Sequence, residues 1–323
     1  MDWRNRKVLV TGGAGFLGSS LCHELAGRGA RVTALDAFLF GGGAHMANLE
    51  GADVEFVRGD LREIDLRTFC EDAAVIFNLA AQTSHMGGQR DPLADIAINA
   101  TAQLSLIHAA REAAPDAIVV HASSRQFYGR PRYLPVDENH PVAPPDSNGI
   151  SKFAGEQFWM LENRIHHRPV VSLRLTNCYG PRQRVRDARQ NFIGIWLRQA
   201  LEGTPFEVWG GAQLRDLTYV DDVTRAFLLA AETPACHGGV FNVGGFPPAS
   251  LTQIADTLVG LAGGGAGYVT REFPEDRARI DIGSYYADDR AFRAATGWAP
   301  TVPLEEGLRR SLDWYAPRLP AYI

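Results

Sequence analysis

An α/β architecture built on a doubly wound parallel sheet is predicted for this 323-residue chain, and three observations predict it. Lys7 to Val10 is a short apolar run that enters glycines at positions 12, 15 and 18 and then the helix-like Ser19 to Leu25. Short apolar runs alternate with helical stretches through the first half, as crossovers between parallel strands require. An acid, Asp36, closes the second of those runs.

Each element has its reason. Glycine in the first turn permits positive φ and close backbone approach, while the free amides at the start of the following helix attract a pyrophosphate. Gly12, Gly15, Phe16, Leu17 and Gly18 are therefore candidate cofactor contacts. Arg31 to Asp36 reads as the second strand, and its terminal carboxylate suits the ribose hydroxyls of an adenosine and repels a 2′-phosphate. No Arg or Lys follows between Ala37 and Gly43, so NAD is expected rather than NADP. Val54 to Val57 reads as a third strand, ending in Gly59-Asp60-Leu61, where Asp60 can accept from the adenine amino group and Leu61 can pack on the ring. Ala74 to Leu79 is a fourth strand, apolar throughout as a strand buried on both faces should be, and it runs into the small residues Ala80 and Ala81, against which a cofactor can lie.

A helix is expected from about Leu93 to Ala114, a strand from Ala117 to His121, a proline-rich loop from Pro131 to Pro145 and a helix from about Ser147 to Asn163. From about Tyr179 the chain alternates between the sheet and a smaller lobe. Gln190 to Leu201 and Leu251 to Leu261 are expected as lobe helices, while Leu217 to Ala231 and Val240 to Val243 return to the sheet. The predicted organisation is thus a Rossmann-type dinucleotide domain over 1–178, rejoined by 216–243, with a smaller C-terminal substrate-binding lobe formed by 179–215 and 244–323. Trp298 is expected in the core.

Bulk composition narrows the function. Hydrophobic residues are 46%, charged residues 21% and the formal net charge is −5, which gives no electrostatic reason to expect nucleic acid or an anionic membrane as partner. The four cysteines have no CxxC spacing, so neither a metal site nor a disulfide framework is expected, and a reducing cytoplasmic setting fits. The N-terminal apolar run is too short for a signal peptide, and no run reaches membrane-spanning length.

Thr11 to Gly18, Asp60-Leu61, Asn78 to Ala81, Ser123-Ser124 before Phe127-Tyr128-Gly129, Ser151-Lys152 ahead of Gly155-Glu156, Arg174 to Pro181, Arg215 to Asp222 and Phe241 to Gly244 occur in this order. In them the chain resembles the extended short-chain dehydrogenase/reductases, the nucleotide-sugar epimerases and dehydratases, over nearly its whole length. The resemblance implies NAD as cofactor, a nucleotide sugar as substrate and a homodimer formed by the helices near 93–114 and 147–163. It also implies roles: Ser124 at the reacting hydroxyl, Lys152 on the nicotinamide ribose, Asn177 and Arg215 on the diphosphate, Ser84 on the sugar, and a further basic residue, Arg277 or Arg279, near the phosphates.

One position departs from the pattern. The family's catalytic Tyr lies four residues before the Lys, on the same helical face, and here that position is Asn148. An amide can orient a hydroxyl but cannot carry its proton. His85, Tyr128, or Lys152 acting through water are the alternatives. After Ser124, members that eliminate water carry Asp-Glu, whereas this chain has Arg125-Gln126, which disfavours dehydration. The expectation is an NAD-dependent nucleotide-sugar epimerase that works through a transient keto sugar with an altered proton relay. A ketoreductase or dehydratase of the same family, or a silent NAD and nucleotide-sugar binder, are the alternatives.

Overall fold

A computed structural model describes residues 1–39, 42–188, 191–244, 247–275 and 281–323. The chain in order runs β1 (Lys7–Thr11), α1 (Phe16–Gly27), β2 (Arg31–Asp36), β3 (Glu55–Arg58), α2 (Arg67–Cys70), β4 (Val75–Asn78), α3 (His85–Arg90), α4 (Pro92–Ile96), a π-helical turn (Ala97–Thr101), α5 (Ala102–Ala113), β5 (Ile118–Ser124) and α6 (Ser147–His166). It continues through β6 (Val170–Leu175), β7 (Asn177–Tyr179), α7 (Phe192–Glu202), β8 (Phe206–Trp209), β9 (Leu214–Arg215), β10 (Leu217–Tyr219), α8 (Val220–Glu232) and β11 (Val240–Val243). Beyond these lie β12 (Ala249–Ser250), α9 (Leu251–Ala262), β13 (Tyr268–Arg271), α10 (Arg290–Thr296) and α11 (Leu304–Tyr315).

Seven strands form one sheet in the order β11-β6-β5-β4-β1-β2-β3, with every pair parallel. The order reverses between β1 and β4, which opens a crevice at the carboxyl ends of the strands. Apolar side chains cover both faces. Val8, Val10, Phe77 and Val120 pack with α1 and with Val223, Ala226 and Phe227 of α8 on one side. Leu9, Ile76 and Val119 pack with Leu106, Ile107 and Trp159 on the other. A second core gathers Tyr179, Trp196, Phe206, Ile254 and Leu308. Trp298 is buried in the first core and donates to Asp222 O at 2.9 Å, as its expected packing role requires.

Three local features differ from the expectation. The helix expected over 93–114 is broken by the π turn, and α3 was not anticipated. Leu217–Tyr219 pairs with β7 in a small separate sheet, while α8 and β11 do join the main sheet and its core. Among the described residues no helix is long and apolar enough to cross a membrane. No three His, Cys, Asp or Glu among them group as metal ligands.

Candidate active site

A cleft of about 320 Å³ runs along the carboxyl ends of the parallel strands. At one end lies the glycine turn. Gly12 has φ +68°, and a Cβ there would sit 2.9 Å from the Leu79 carbonyl. A Cβ on Gly18 would collide with the Gly12 carbonyl oxygen. Gly15 is the N-cap of α1 and brings no side-chain cap, so the first amides of the helix, with Phe16 and Leu17 in the same wall, remain for a ligand. A dinucleotide's pyrophosphate fits this cradle of bare amides.

Asp36 stands at the end of β2, where it accepts from Phe38 N at 2.9 Å and Ala14 N at 3.2 Å. Burial pushes its carboxyl up from the ordinary value, and the amide hydrogen bonds act the other way. Asp60 and Leu61 line the cleft near it, together with Ala80 and Ala81. Asp60 is held by Arg62 at 2.6 Å, a hydrogen bond that pulls its carboxyl down; a carboxylate so engaged keeps lone pairs for a further donor. The Ala80 loop is fixed by β1 and the π turn. Thr11 Oγ1 accepts from Leu79 N and Ala80 N at 3.2 Å, and Asn99 Oδ1 accepts from Gln82 N at 2.9 Å.

At the other end Ser124, Asn148, Lys152 and His85 share the wall. Helix α6 carries Asn148 and Lys152 one turn apart and is pinned to the sheet by buried Glu156. That carboxylate accepts from Ser123 Oγ at 2.7 Å and pairs with Arg174 at 2.7 Å. Ser124 Oγ accepts from Gln126 N at 3.1 Å, which leaves its own proton to donate. Lys152 forms no ion pair among the described residues, and burial pushes its ammonium down to about 8 against the opposing pull of Asp95.

Asn148 is fully buried, and its amide orientation is set by its partners. Nδ2 donates to Gln82 O and to Asp95 Oδ1, both at 3.0 Å, and Oδ1 has no donor. Buried Asp95 also accepts from Ser151 Oγ and from Gln82 Nε2 at 2.8 Å. His85 Nδ1 lies 2.9 Å from Oδ2 of Asp146. Asp146 is the N-cap of α6, accepting from Gly149 N at 2.7 Å. Burial would raise the Asp146 carboxyl, but the His85, Gly149 and Gln126 contacts outweigh it and the net direction is down.

Other expected site residues fall elsewhere. Tyr128 is fully buried outside the cleft wall, donating to Asn242 Oδ1 at 2.9 Å and accepting from Arg174 at 2.6 Å, and burial pushes its phenol up to about 12. It packs. Ser84, expected on the sugar, is instead the N-cap of α3, its Oγ accepting from Gly87 N at 3.1 Å, and it does not line the cleft. Arg215, expected on the diphosphate, does not line this cleft; Nη1 donates to Leu214 O at 2.9 Å and to Gly283 O, and Nη2 lies 3.4 Å from Asp281. Asn177 does line the cleft, with Oδ1 accepting from Arg125 at 3.0 Å. Arg277 and Arg279 lie outside the described residues. Sequence reasoning missed Asp146, Asp95 and Gln82. Only Asp146 left a trace, as a capping residue after Pro144-Pro145 at the start of a helix.

Residues 8–244 match the sequence profile of the NAD dependent epimerase/dehydratase family. The UDP-glucose 4-epimerase of Mycolicibacterium smegmatis is 31% identical over 313 residues, covering 96% of this chain and 98% of that one. Among solved structures, an epimerase from Methanothermobacter thermautotrophicus is similar with a TM-score of 0.92 at 25% identity, covering 99% of this chain and 95% of its own. The UDP-glucose 4-epimerase of Thermotoga maritima with UDP-glucose gives 0.87 at 27% identity, covering 97% of this chain and 99% of that one.

Proposed function

The chain belongs to the NAD-dependent epimerase/dehydratase family, and from that premise we propose that it epimerises a nucleotide-linked sugar through a transient keto sugar, with Asn148 standing where relatives carry the catalytic Tyr. The observation that carries the altered relay is His85 in the same cleft wall as Ser124, Asn148 and Lys152, with its Nδ1 2.9 Å from Oδ2 of buried Asp146. NAD, which the Gly12–Gly18 turn, Asp36 and Lys152 would hold, would supply reversible hydride acceptance at the sugar carbon. The remaining work belongs to side chains. Ser124 holds the reacting oxygen, and the donor-less Oδ1 of Asn148 accepts from a sugar hydroxyl. His85, whose Nδ1 lies 2.9 Å from Asp146 Oδ2, takes the hydroxyl proton as the carbonyl forms. Lys152 anchors the nicotinamide ribose. With Arg125 and Gln126 after Ser124, no carboxylic acid is supplied there for elimination of water.

The same reading assigns 1–178 with 216–243 to the dinucleotide and 179–215 with 244–323 to the sugar nucleotide. It also includes a homodimer: Leu93, Ile96, Ile150, Leu161 and Ile165 leave an apolar surface exposed on α4 and α6. Four free cysteines suit a reducing, cytoplasmic location.

The test is incubation of the purified protein with a panel of nucleotide sugars in deuterated water, following epimer formation by NMR and reduced cofactor by absorbance. Epimer with transient bound NADH is expected. Absence of both with every sugar overturns the reading.

A further inference from the structure

Arg125 follows Ser124 directly and lines the reacting end of the cleft. Its guanidinium lies on the ring of Tyr285, with Cζ 4.8 Å from the centroid, and Nη2 donates to Asn177 Oδ1 at 3.0 Å. Nη1 is buried with no acceptor. Asn177 Nδ2 and the Tyr285 hydroxyl, each belonging to a side chain that touches Arg125, are also buried without an acceptor. Two carboxylates also lie near and balance part of the charge: Asp281, which pairs with Arg215 at 3.4 Å, and Asp216, whose Oδ2 accepts from Ala287 N at 2.9 Å.

Three buried donors left without a hydrogen-bond partner around one guanidinium are a costly arrangement in a folded protein, because buried N–H and O–H groups are normally paired. An anion that enters the cleft relieves it. A guanidinium edge beside an amide matches the two coplanar oxygens of a carboxylate, and stacking on Tyr285 holds that edge in one plane. Burial lowers Arg125 from its ordinary value and raises Tyr285 well above its own, so the first is a poorly solvated cation and the second remains a donor. Ser124 and Arg125 line the same cleft, so an anion held by Arg125 lies in the cleft that takes the sugar.

We propose that Arg125, held in place by Asn177 and Tyr285, is a carboxylate fork that selects a nucleotide-linked uronic acid over the neutral hexose. The proposal rests on the nucleotide-sugar reading above. The diphosphate, which every such ligand carries, is the competing source of anionic oxygen.

Calorimetric titration of the NAD-loaded protein with matched pairs separates the two: UDP-glucuronate and UDP-glucose, dTDP-glucuronate and dTDP-glucose, GDP-mannuronate and GDP-mannose, with each bare nucleoside diphosphate alongside. In at least one pair the uronate is expected to bind about 10- to 100-fold more tightly. Arg125→Gln should erase most of that ratio, and Arg125→Lys, which keeps the charge and loses the fork, should retain part of it. If Arg125→Gln does not fold, the wild-type ratios and Arg125→Lys still decide. Two results overturn the proposal: no pair in which the uronate binds more tightly, or equal losses in the variant for uronate, hexose and bare diphosphate. Binding is read without turnover, so an intact uronate preference with no epimer formed sinks only the reaction assigned above.

Discussion

Asn148 is held by its neighbours through one half of its amide and leaves the other half open. Its Nδ2 is consumed by Gln82 O and Asp95, and its Cβ lies 3.3 Å from where a Cβ on Gly88 would sit, so α3 packs closely against it. Asn148→Tyr should therefore break both Nδ2 hydrogen bonds and leave Gln82 O and Asp95 short of a donor, lowering stability by about 1–3 kcal/mol in denaturant unfolding without raising turnover. A gain in kcat would show that the relay was never moved. His85→Ala should cost about 10²- to 10⁴-fold in kcat while leaving NAD affinity near wild type, the size expected for loss of a general base. Tyr128→Phe, which removes a buried hydroxyl from Asn242 and Arg174, should lower stability by about 1–2 kcal/mol and leave kcat close to wild type. Equal losses of kcat in the two variants would remove His85 from its role. The Asn was legible in the sequence because the Lys four residues on marks its place. Its partners were not, because Asp95 and Gln82 lie 53 and 66 residues away and meet it only through the fold.

Helix α6 owes its position to what it lacks as much as to what it carries. A Cβ on Gly155 would run into the Asn99 carbonyl oxygen of the π turn, so glycine lets the two backbones touch. The extra residue of a π turn is a common local device at functional sites. Here it turns Asn99 back onto Gln82, with Nδ2 donating to Gln82 O at 3.1 Å, and so fixes the loop against which Asn148 rests. Gly155→Ala should push α6 off this turn, costing on the order of 1–3 kcal/mol, and should weaken NAD binding together with kcat because Lys152 and Asn148 ride on the same helix. A loss of stability with unchanged NAD affinity would show that the contact is not what places Lys152. The sequence reveals α6 plainly, through its cap and its periodicity, and reveals the glycine turn because strand, turn and helix are contiguous. It conceals the break at 97–101, since a π turn keeps the apolar spacing of the helix on either side. It also conceals that Ser84 caps α3 and that Arg215 is spent on carbonyls at 214 and 283, since what satisfies a polar group is decided by tertiary neighbours.

At the scale of the whole molecule, the cleft sits where both cores end, so its polar groups are partly desolvated before any ligand arrives. Lys152 is the clearest case, with burial pushing it from 10.5 down to about 8. The sign of the linkage follows from the protons bound. Below about 8 both folded and unfolded chains carry the ammonium, and the folded state bears the full cost of holding it; between about 8 and 10.5 the unfolded chain binds more protons, so stability rises with pH. Lys152→Met should thus make the NAD-free protein more stable at pH 7, by at most about 3 kcal/mol, and that advantage should shrink toward zero as pH approaches 10. The same variant should lose most of the thermal stabilisation that NAD confers on wild type, because ligand that binds only the folded state stabilises in proportion to its affinity. Denaturant unfolding of both proteins across pH 7 to 10, with and without NAD, checks both halves. A stability difference that does not change with pH would mean that the ammonium is well solvated in the folded cleft.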